Sequence, residues 1–239
     1  MTKGTGLEAG SMVSGYHVKQ VIAFEEIQSL VYELEHEATG ARHLHVANRD
    51  RENAFSVAFK TVPRDSTGVA HILEHTILCG SVKYPVRDPF FSMIRRSLNS
   101  FMNALTAADW TMYPFASPNR KDFYNLLDVY LDAVFYPRIT PFVLQQEGWH
   151  LELDAPDGEL TCQGVVLNEM RGAYSSPDSV LLESSQQSLF PDSTYGFDSG
   201  GNPREIPGLT FQQFLAFHHG YYHPSNARIT FYGDDDPEK

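Results

Sequence analysis

Cysteine and long apolar runs are both scarce in this sequence of 239 residues. Its two cysteines, Cys79 and Cys162, are too few for a disulfide framework in a chain of this length. No run approaches the roughly 18 apolar residues that cross a bilayer, so we expect no membrane span. Residues 1–15 lack the apolar segment of a secretory signal, which makes a cytoplasmic location the expectation. An organellar matrix protein that had lost its targeting segment would have the same features.

Basic residues are also in the minority. Lysine and arginine number 18 against 30 aspartates and glutamates, which gives a formal net charge of -12 at pH 7. The sequence therefore lacks the basic surface that a nucleic-acid partner requires. Hydrophobic residues make up 42% and charged residues 20%, values typical of a globular chain with a core. Since no internal repeat is present, we expect a single domain over residues 1–239.

Periodicity predicts an α+β fold. Alternating residues predict strands at 30–36, 42–48 and 53–60, the first two joined by a hairpin turn at 38–40. The strand and helix pattern as a whole predicts a two-layer sandwich, in which helices pack on one face of a mostly antiparallel sheet. The remaining elements are an amphipathic helix at 121–136, shorter helices near 141–148, 164–174, 177–189 and 210–220, and strands at 109–117 and 227–233.

Two further helices lie between these elements. Residues 65–67 offer N-caps to the helical run VAHILEHTIL, which Gly80 ends. A second helix is predicted to follow Pro89 and to extend through FFSMIRRSLNSF, residues 90–101. The first of these helices contains the residues that carry the predicted chemistry.

The pattern His71-Ile-Leu-Glu74-His75 predicts a metal site. Residues four apart on a helix project from the same face, so both imidazoles can reach one ion. Glu74 lies on the flank of that face and can take a proton from a water that zinc has acidified to a pKa of about 7. The pattern is the inverted form of H-E-x-x-H, with roughly 0.03 occurrences expected by chance. The alternative is a pair of histidines on an ordinary amphipathic helix.

A catalytic zinc usually has three protein ligands, so a third must come from elsewhere. Glu169, in GVVLNEMRGAY, is the best candidate. A carboxylate beside a buried stripe needs a partner, and a metal is one. An exposed helical glutamate with no partner fits the spacing equally well. The apolar stripe of this predicted helix consists of Val165, Val166, Met170 and Ala173.

Five segments in order resemble the N-terminal domain of the presequence-protease branch of the pitrilysin (insulinase-type, M16) metallopeptidases. The resemblance runs from about residue 15 to the end and implies the fold of that family. It implies zinc ligation by His71, His75 and Glu169, with Glu74 as the general base. It also implies that Glu147 is not a ligand itself but orients the ligands from outside the metal site. The segments are GVAHILEHTILCGSVKYPVRDPFF, SLNSFMNALTAADWTMYPFAS, LQQEGWHLEL, GVVLNEMRGAY and YYHPSNARITFYGD.

The same resemblance implies where a peptide substrate binds. In this family an extended peptide adds to an exposed strand edge beside the zinc helix, and backbone pairing tolerates many sequences. The matching stretch is Asn103, Ala104, Leu105 and Thr106. An apolar pocket next to the scissile bond matches Phe90, Phe91 and Ile94. A helix packed on a core would explain these three apolar residues equally well.

Members of this family are much longer, with two halves that enclose a chamber. The second half supplies an Arg and a Tyr that hold substrate and stabilise the tetrahedral intermediate, and one oxyanion donor contributes about 3–4 kcal/mol. We therefore expect this chain to be a fragment of an endopeptidase for short unfolded peptides, inactive by itself. The alternatives are a non-catalytic structural or processing subunit of the same superfamily, and a metal-dependent lyase of the autoinducer-2 type.

Several other residues of reactive type have no motif of their own. Cys79 follows His75 by four positions and would lie on the zinc side of the helix, where a thiolate could bind zinc. Cysteine is also among the most buried residue types, and we expect Cys79 to pack in the core. We expect structural roles for Tyr113, His150, His218 and His219.

Overall fold

The structure is a computed structural model that describes residues 7–153 and 155–238. Its strands are β1 (Met12–Val13), β2 (Tyr16–Phe24), β3 (Ser29–His36), β4 (Arg42–Ala47), β5 (Asn53–Phe59), β6 (Phe101–Met102), β7 (Leu105–Thr106), β8 (Thr111–Ser117), β9 (His150–Leu153), β10 (Leu160–Gln163) and β11 (Ala227–Gly233). Its α-helices are α1 (Val69–Ile77), α2 (Pro89–Arg96), α3 (Arg120–Phe135), α4 (Pro141–Glu147), α5 (Val165–Ala173), α6 (Pro177–Leu189) and α7 (Phe211–Tyr221). Short 3₁₀ helices lie at Thr194–Gly196, Ile206–Gly208 and Pro224–Asn226.

A single large sheet dominates the described residues. Its strand order is β1-β2-β3-β4-β11-β5-β8-β6, and β7 also pairs with β8. The one parallel pairing in this sheet joins β4 to β11, whereas the others are antiparallel. Strands β9 and β10 form a separate antiparallel pair. The mostly antiparallel sheet predicted from the sequence is confirmed.

The core lies between one face of this sheet and the helices. Every second residue of β5 and β8 is buried, because successive side chains of a strand point to opposite faces. Burying one such large apolar side chain contributes about 1.5–3 kcal/mol. The two layers confirm the predicted α+β sandwich. The core includes Phe55, Val57, Phe59, Tyr113 and Phe115 from the strands, and Ile72, Leu73, Phe123, Leu126 and Val166 from the helices.

Helix α1 is almost entirely buried, and its start differs from the prediction. Its N-cap is Gly68, with no side-chain cap, whereas Asp65 accepts from the backbone N and the hydroxyl of Thr67. Gly68 has φ 69°, and a Cβ there would lie 2.8 Å from the Gly200 carbonyl oxygen. A close approach of two distant segments therefore fixes this helix start, and capping by residues 65–67 was wrong.

Helix α2 is shorter than predicted. It ends at Arg96, since Ser97 is extended with φ -84° and ψ 169°. Phe101, predicted as its last residue, and the following Met102 instead pair with Ala116 and Phe115 of β8. Pairing with the sheet thus overrides the helical pattern and creates a strand edge.

The sequence prediction also missed elements at the edges of the fold. Strand β2 pairs with β3 along its whole length, with a bulge between Val18 and Gln20. That bulge breaks the alternation by which strands are recognised. The β9–β10 pair was not predicted either. No helix in the described part of the chain is long and apolar enough to cross a bilayer.

Candidate metal centre

Three predicted ligands from two helices meet at one point. His71 and His75 lie one turn apart on α1, and Glu169 lies on α5. Their ligand atoms all lie within 4.8 Å of one another. The Glu169 Oε2 atom is 3.8 Å from Nε2 of His71 and 3.7 Å from Nε2 of His75. Ligand atoms around a tetrahedral zinc ion are about 3.3 Å apart for bonds of about 2.0–2.1 Å, so a small closure would complete the geometry.

The other ring nitrogens face away from this point. His71 Nδ1 is 3.0 Å from the carbonyl oxygen of Gly200, and His75 Nδ1 is 3.3 Å from Glu147 Oε2. Both partners accept a hydrogen bond, so each imidazole carries its proton on Nδ1 and leaves Nε2 free. This is the arrangement in which a metal-binding histidine is oriented by an outer acceptor. The donor set therefore fits a metal ion.

Negative charge surrounds the two histidines. Burial opposes protonation of His75, but the hydrogen bond that its Nδ1 donates to Glu147 and the charges of Glu74, Glu147 and Glu169 outweigh this effect and raise the pKa of His75. Burial likewise opposes ionisation of Glu147, yet hydrogen bonds from His75 and Gln146 hold its pKa below the usual range. The Gln146 amide donates to Glu147 Oε1 at 2.7 Å. A site in which several carboxylates face two imidazoles favours a cation.

Glu74 lies beside the three ligand groups and is buried. Its Oε2 accepts a hydrogen bond of 2.7 Å from the hydroxyl of Thr106. Thr106 belongs to β7, a short strand that pairs with β8 at the edge of the large sheet. The carboxylate that was predicted as a general base is therefore tied directly to the strand that was predicted to bind substrate. No local pattern predicts this contact, because the two residues are 32 positions apart.

The residues predicted to contact substrate divide into buried and exposed groups. Phe90 is 9% exposed and packs in the core, as the alternative interpretation expected. Phe91 and Ile94, on the same helix, are exposed. Leu105 is exposed as well, whereas Ala104 is buried and its backbone N donates a hydrogen bond to Asn103 Oδ1. The accessible apolar surface beside the sheet edge is therefore supplied by Phe91, Ile94 and Leu105.

Cys79 lies in neither of the two environments considered from the sequence, the metal-facing side of α1 and the core. It lies beyond the end of α1 rather than on its metal-facing side, and it is half-buried. Its thiol donates to the His75 carbonyl oxygen at 3.4 Å and to Glu147 Oε1 at 3.5 Å. Burial, followed by the charge of Glu147, raises the pKa of this thiol. The Cys79 thiol therefore contacts the carboxylate that orients His75, and it is not one of the three groups that converge at the candidate metal site.

The other residues predicted to be structural have ordinary partners. The Tyr113 hydroxyl lies 2.8 Å from that of Tyr222, and both are buried. The His218 ring stacks on Tyr222, and burial lowers the pKa of His218 to about 4. His150 Nδ1 is 2.7 Å from the carbonyl oxygen of Gln145. None of these side chains belongs to the group of ligand atoms around Glu169.

Sequence reasoning missed the loop that holds His71. Its acceptor, Gly200, is 129 positions away in the run Asp198-Ser-Gly-Gly-Asn202. A pair of adjacent glycines beside an aspartate was the available signal, since such runs form tight turns. His71 and His75 could be paired from the sequence because their spacing is local, whereas this partner comes from a distant segment.

Comparison with known proteins gives a consistent result. Residues 62–171 match the family model described as "Insulinase (Peptidase family M16)". The chain is 55% identical over 214 residues to "Presequence protease 1, chloroplastic/mitochondrial" of Arabidopsis thaliana, covering 89% of this chain and 20% of that protein. It is 52% identical over 228 residues to "Presequence protease, mitochondrial" of Xenopus tropicalis, covering 94% and 22%. The chain thus spans about a fifth of the length of these relatives.

A solved structure supports the fold. The crystal structure of pitrilysin superposes with a TM-score of 0.72 at 19% identity, over 94% of this chain and 23% of that one. At this identity the likeness concerns the fold alone. The matched residues 62–171 include both histidines of α1, Glu74, Glu147 and Glu169. The chain therefore contains an insulinase-type domain of peptidase family M16.

Proposed function

We propose that this chain is the zinc-binding, N-terminal catalytic domain of a longer metalloendopeptidase that cleaves short unfolded peptides such as presequences. The convergence of two Nε2 atoms and the Glu169 carboxylate, with Glu74 beside them, carries this proposal. Relatives named presequence proteases support the substrate class, and their greater length supports further domains in the complete enzyme. Their chloroplastic and mitochondrial names support an organellar matrix as the location rather than the cytoplasm.

In this proposal His71, His75 and Glu169 hold the zinc ion. When bound, zinc supplies a Lewis acid that lowers the pKa of a water molecule to about 7. Glu74 would accept a proton on its carboxylate from the attacking water and would later deliver it to the leaving amine of the cleaved peptide. The hydroxyl of Thr106 holds one Glu74 oxygen and so directs the other towards the reacting atoms.

Glu147 and Gly200 keep the histidines in the orientation that ligation needs. Both accept from a ring Nδ1, so each Nε2 is presented to the ion without rearrangement. The burial of Glu147 and the thiol and amide that contact it favour a single orientation of its carboxylate. The metal site is thus organised before the ion arrives.

The substrate in this proposal lies along the edge formed by residues 103–106. An extended peptide can pair with that edge, because β6 and β7 follow β8 at the end of the strand order. Phe91 and Ile94 offer exposed apolar surface to its side chains. Since Thr106 contacts Glu74, the paired peptide would lie next to the proton acceptor.

Metal content tests the proposal. We expect one zinc ion per chain after loading and removal of excess metal, and loss of that ion from His71→Ala. His150→Ala is the matched control, because His150 also directs Nδ1 to a backbone carbonyl but lies outside the site. A chain that retains no zinc, or a His71→Ala variant that binds zinc as the control does, would refute the site.

A further inference from the structure

Both side-chain oxygens of Asp198 and its backbone N–H form hydrogen bonds with the segments around it. It is buried, and its Oδ1 accepts from the backbone N of Gly200 at 2.9 Å and of Gly201 at 3.2 Å. Its Oδ2 accepts from the Tyr174 hydroxyl at 2.7 Å. Its own backbone N donates to the Ser66 hydroxyl at 3.1 Å. A buried carboxylate that is this fully engaged holds several segments together.

These partners lie at the ends of the two helices that carry the predicted metal ligands, or contact one of those ligands directly. Tyr174 is the C-cap of α5, which contains Glu169. Ser66 precedes α1, which contains His71. Gly200 accepts from His71 itself. Asp198 therefore connects both ligand-bearing helices without lying among the ligand atoms.

Asp198 sets the direction of the carbonyl group that His71 uses, because the Gly201 N–H lies 3.2 Å from both Oδ1 and the backbone carbonyl oxygen of Asp198. The Gly200 carbonyl and the Gly201 N–H belong to the same peptide unit. In a trans peptide these two groups point in opposite directions. When Asp198 accepts from that N–H, the carbonyl on the far side is turned towards His71 Nδ1.

Close packing leaves this loop little room to move. Gly201 has φ 107°, and a Cβ there would lie 2.9 Å from Gly68 Cα. A Cβ at Gly200 would lie 3.0 Å from Cε of Met170, the residue after Glu169. The loop is therefore seated between the start of α1 and the helix of the third ligand.

We propose that Asp198 is a positioning residue of the metal centre. It orients the Gly200 carbonyl so that His71 holds its proton on Nδ1 and presents Nε2 to the metal, and it anchors α5 through Tyr174. This inference rests on the proposed zinc site, and no named motif of the sequence contains Asp198. It assigns the Asp198-Ser-Gly-Gly turn a task that is separate from metal ligation.

Zinc affinity of the 239-residue chain, measured by competition with a chelator, tests the proposal. Asp198→Ala is expected to weaken binding about 10–100-fold, the usual effect of removing an outer partner of a ligand. Asp235→Ala is the matched control, since Asp235 is equally buried and accepts from the Tyr124 hydroxyl at 2.6 Å, away from the ligands. Equal affinities of the two variants would overturn the inference.

A second measurement does not depend on zinc. Long-range ¹H–¹⁵N spectra of the metal-free chain report which ring nitrogen of His71 carries the proton. We expect the Nδ1–H form in the unaltered chain and a larger share of the Nε2–H form in Asp198→Ala, with His150 unchanged in both. An unchanged His71 tautomer in Asp198→Ala would overturn the inference even if affinity fell.

Milder variants serve if Asp198→Ala does not fold. Tyr174→Phe removes only the connection to α5, so we expect weaker zinc binding with the His71 tautomer retained. Asp198→Asn removes the charge and one acceptor, so we expect weaker binding and a partial change of tautomer. Values equal to those of the unaltered chain in both variants would overturn the proposal. Failure of the unaltered chain to bind zinc would instead refute the metal site itself.

Discussion

The two helices that supply the ligands differ in how firmly the fold holds them. Helix α1 is buried on most of its surface, and the side chains of His71 and His75 are 13% and 25% exposed. Glu169 on α5 is 54% exposed, and the next helix, α6, has no buried residue. The histidines are therefore fixed by the core, whereas the carboxylate depends on its own helix and the loop beside it. Exposed apolar residues on α6 are the kind of surface that further protein covers.

The largest expected effect concerns the residue between the two histidines. Glu74→Gln should abolish peptide cleavage by the longer enzyme of which we propose this chain to be a part, because an amide cannot accept the proton. The loss should reach at least the roughly 10²–10⁴-fold typical of general-base removal. Turnover of a quenched peptide and bound zinc are measured on one preparation. Near-normal turnover with zinc retained would show that another group activates the water.

Stability should separate the two regions clearly. Ile72→Ala in α1 removes a fully buried side chain and should cost about 2–5 kcal/mol in the free energy of unfolding. Leu182→Ala in α6 removes a side chain that is 73% exposed and should change it by less than about 0.5 kcal/mol. Urea denaturation of both variants gives the comparison. Equal losses would mean that α6 is packed in solution in a way the structure does not contain.

Glu147→Gln should weaken zinc binding about 10–100-fold, since an amide orients the His75 ring less strongly than a carboxylate does. Asp122→Asn is the control. Asp122 lies on α3 and accepts from the Ser117 hydroxyl at 2.9 Å, so its change alters a hydrogen-bonded carboxylate outside the site. Chelator competition on both variants is the measurement. An affinity of Glu147→Gln equal to that of the control would remove Glu147 from the site.

The contact between Thr106 and Glu74 should have a smaller effect. Thr106→Val keeps the shape of the side chain and removes the hydroxyl, so kcat of the longer enzyme should fall roughly tenfold, the equivalent of one hydrogen bond to a charged group. Thr106→Ser should restore most of the loss, and zinc content should not change in either variant. Equal kcat values for the valine and serine variants would exclude a role for the hydroxyl.

The smallest effect is a pH dependence of the metal-free chain. Because the pKa of His75 is raised in the folded chain, its stabilising contribution is complete below the unfolded value of about 6.5 and is lost as pH rises through the folded value. Thermal unfolding between pH 5 and 8 in a chelator should reveal this decline as roughly a few degrees at most. Glu147→Gln should flatten it, because the negative charge that helps to raise the pKa of His75 is removed. An unaltered slope in that variant would contradict this origin.

Local patterns predicted the fold well and paired the two histidines of α1, and distant contacts account for most of what they missed. The spacing of His71, Glu74 and His75 is contained within one helix, and its periodicity was sufficient to place it. The start of that helix was wrong because Gly68 is selected by its contact with Gly200. No local sequence pattern around either glycine indicates that the two are in contact.

Similar reasoning explains the sheet and the outer partners of the site. The last predicted turn of α2 became a strand, because pairing with β8 outweighs the helical pattern. Strand β2 was overlooked because its bulge interrupts the alternation. The contacts of Thr106 with Glu74 and of His71 with Gly200, which complete the site, depend on how separate elements pack. Only the resemblance, and not spacing, pointed to Glu147.

X-ray absorption at the zinc edge of the loaded chain tests the central claim most directly. We predict two imidazole nitrogens at about 2.0–2.1 Å and carboxylate oxygen at about 2.0–2.2 Å, with no sulfur. Histidine-to-alanine changes at positions 71 and 75 should each remove one imidazole contribution. A sulfur neighbour at about 2.3 Å would assign Cys79 or Cys162 to the ion, and a single imidazole would mean that His71 and His75 do not share it; either result would contradict the proposed site.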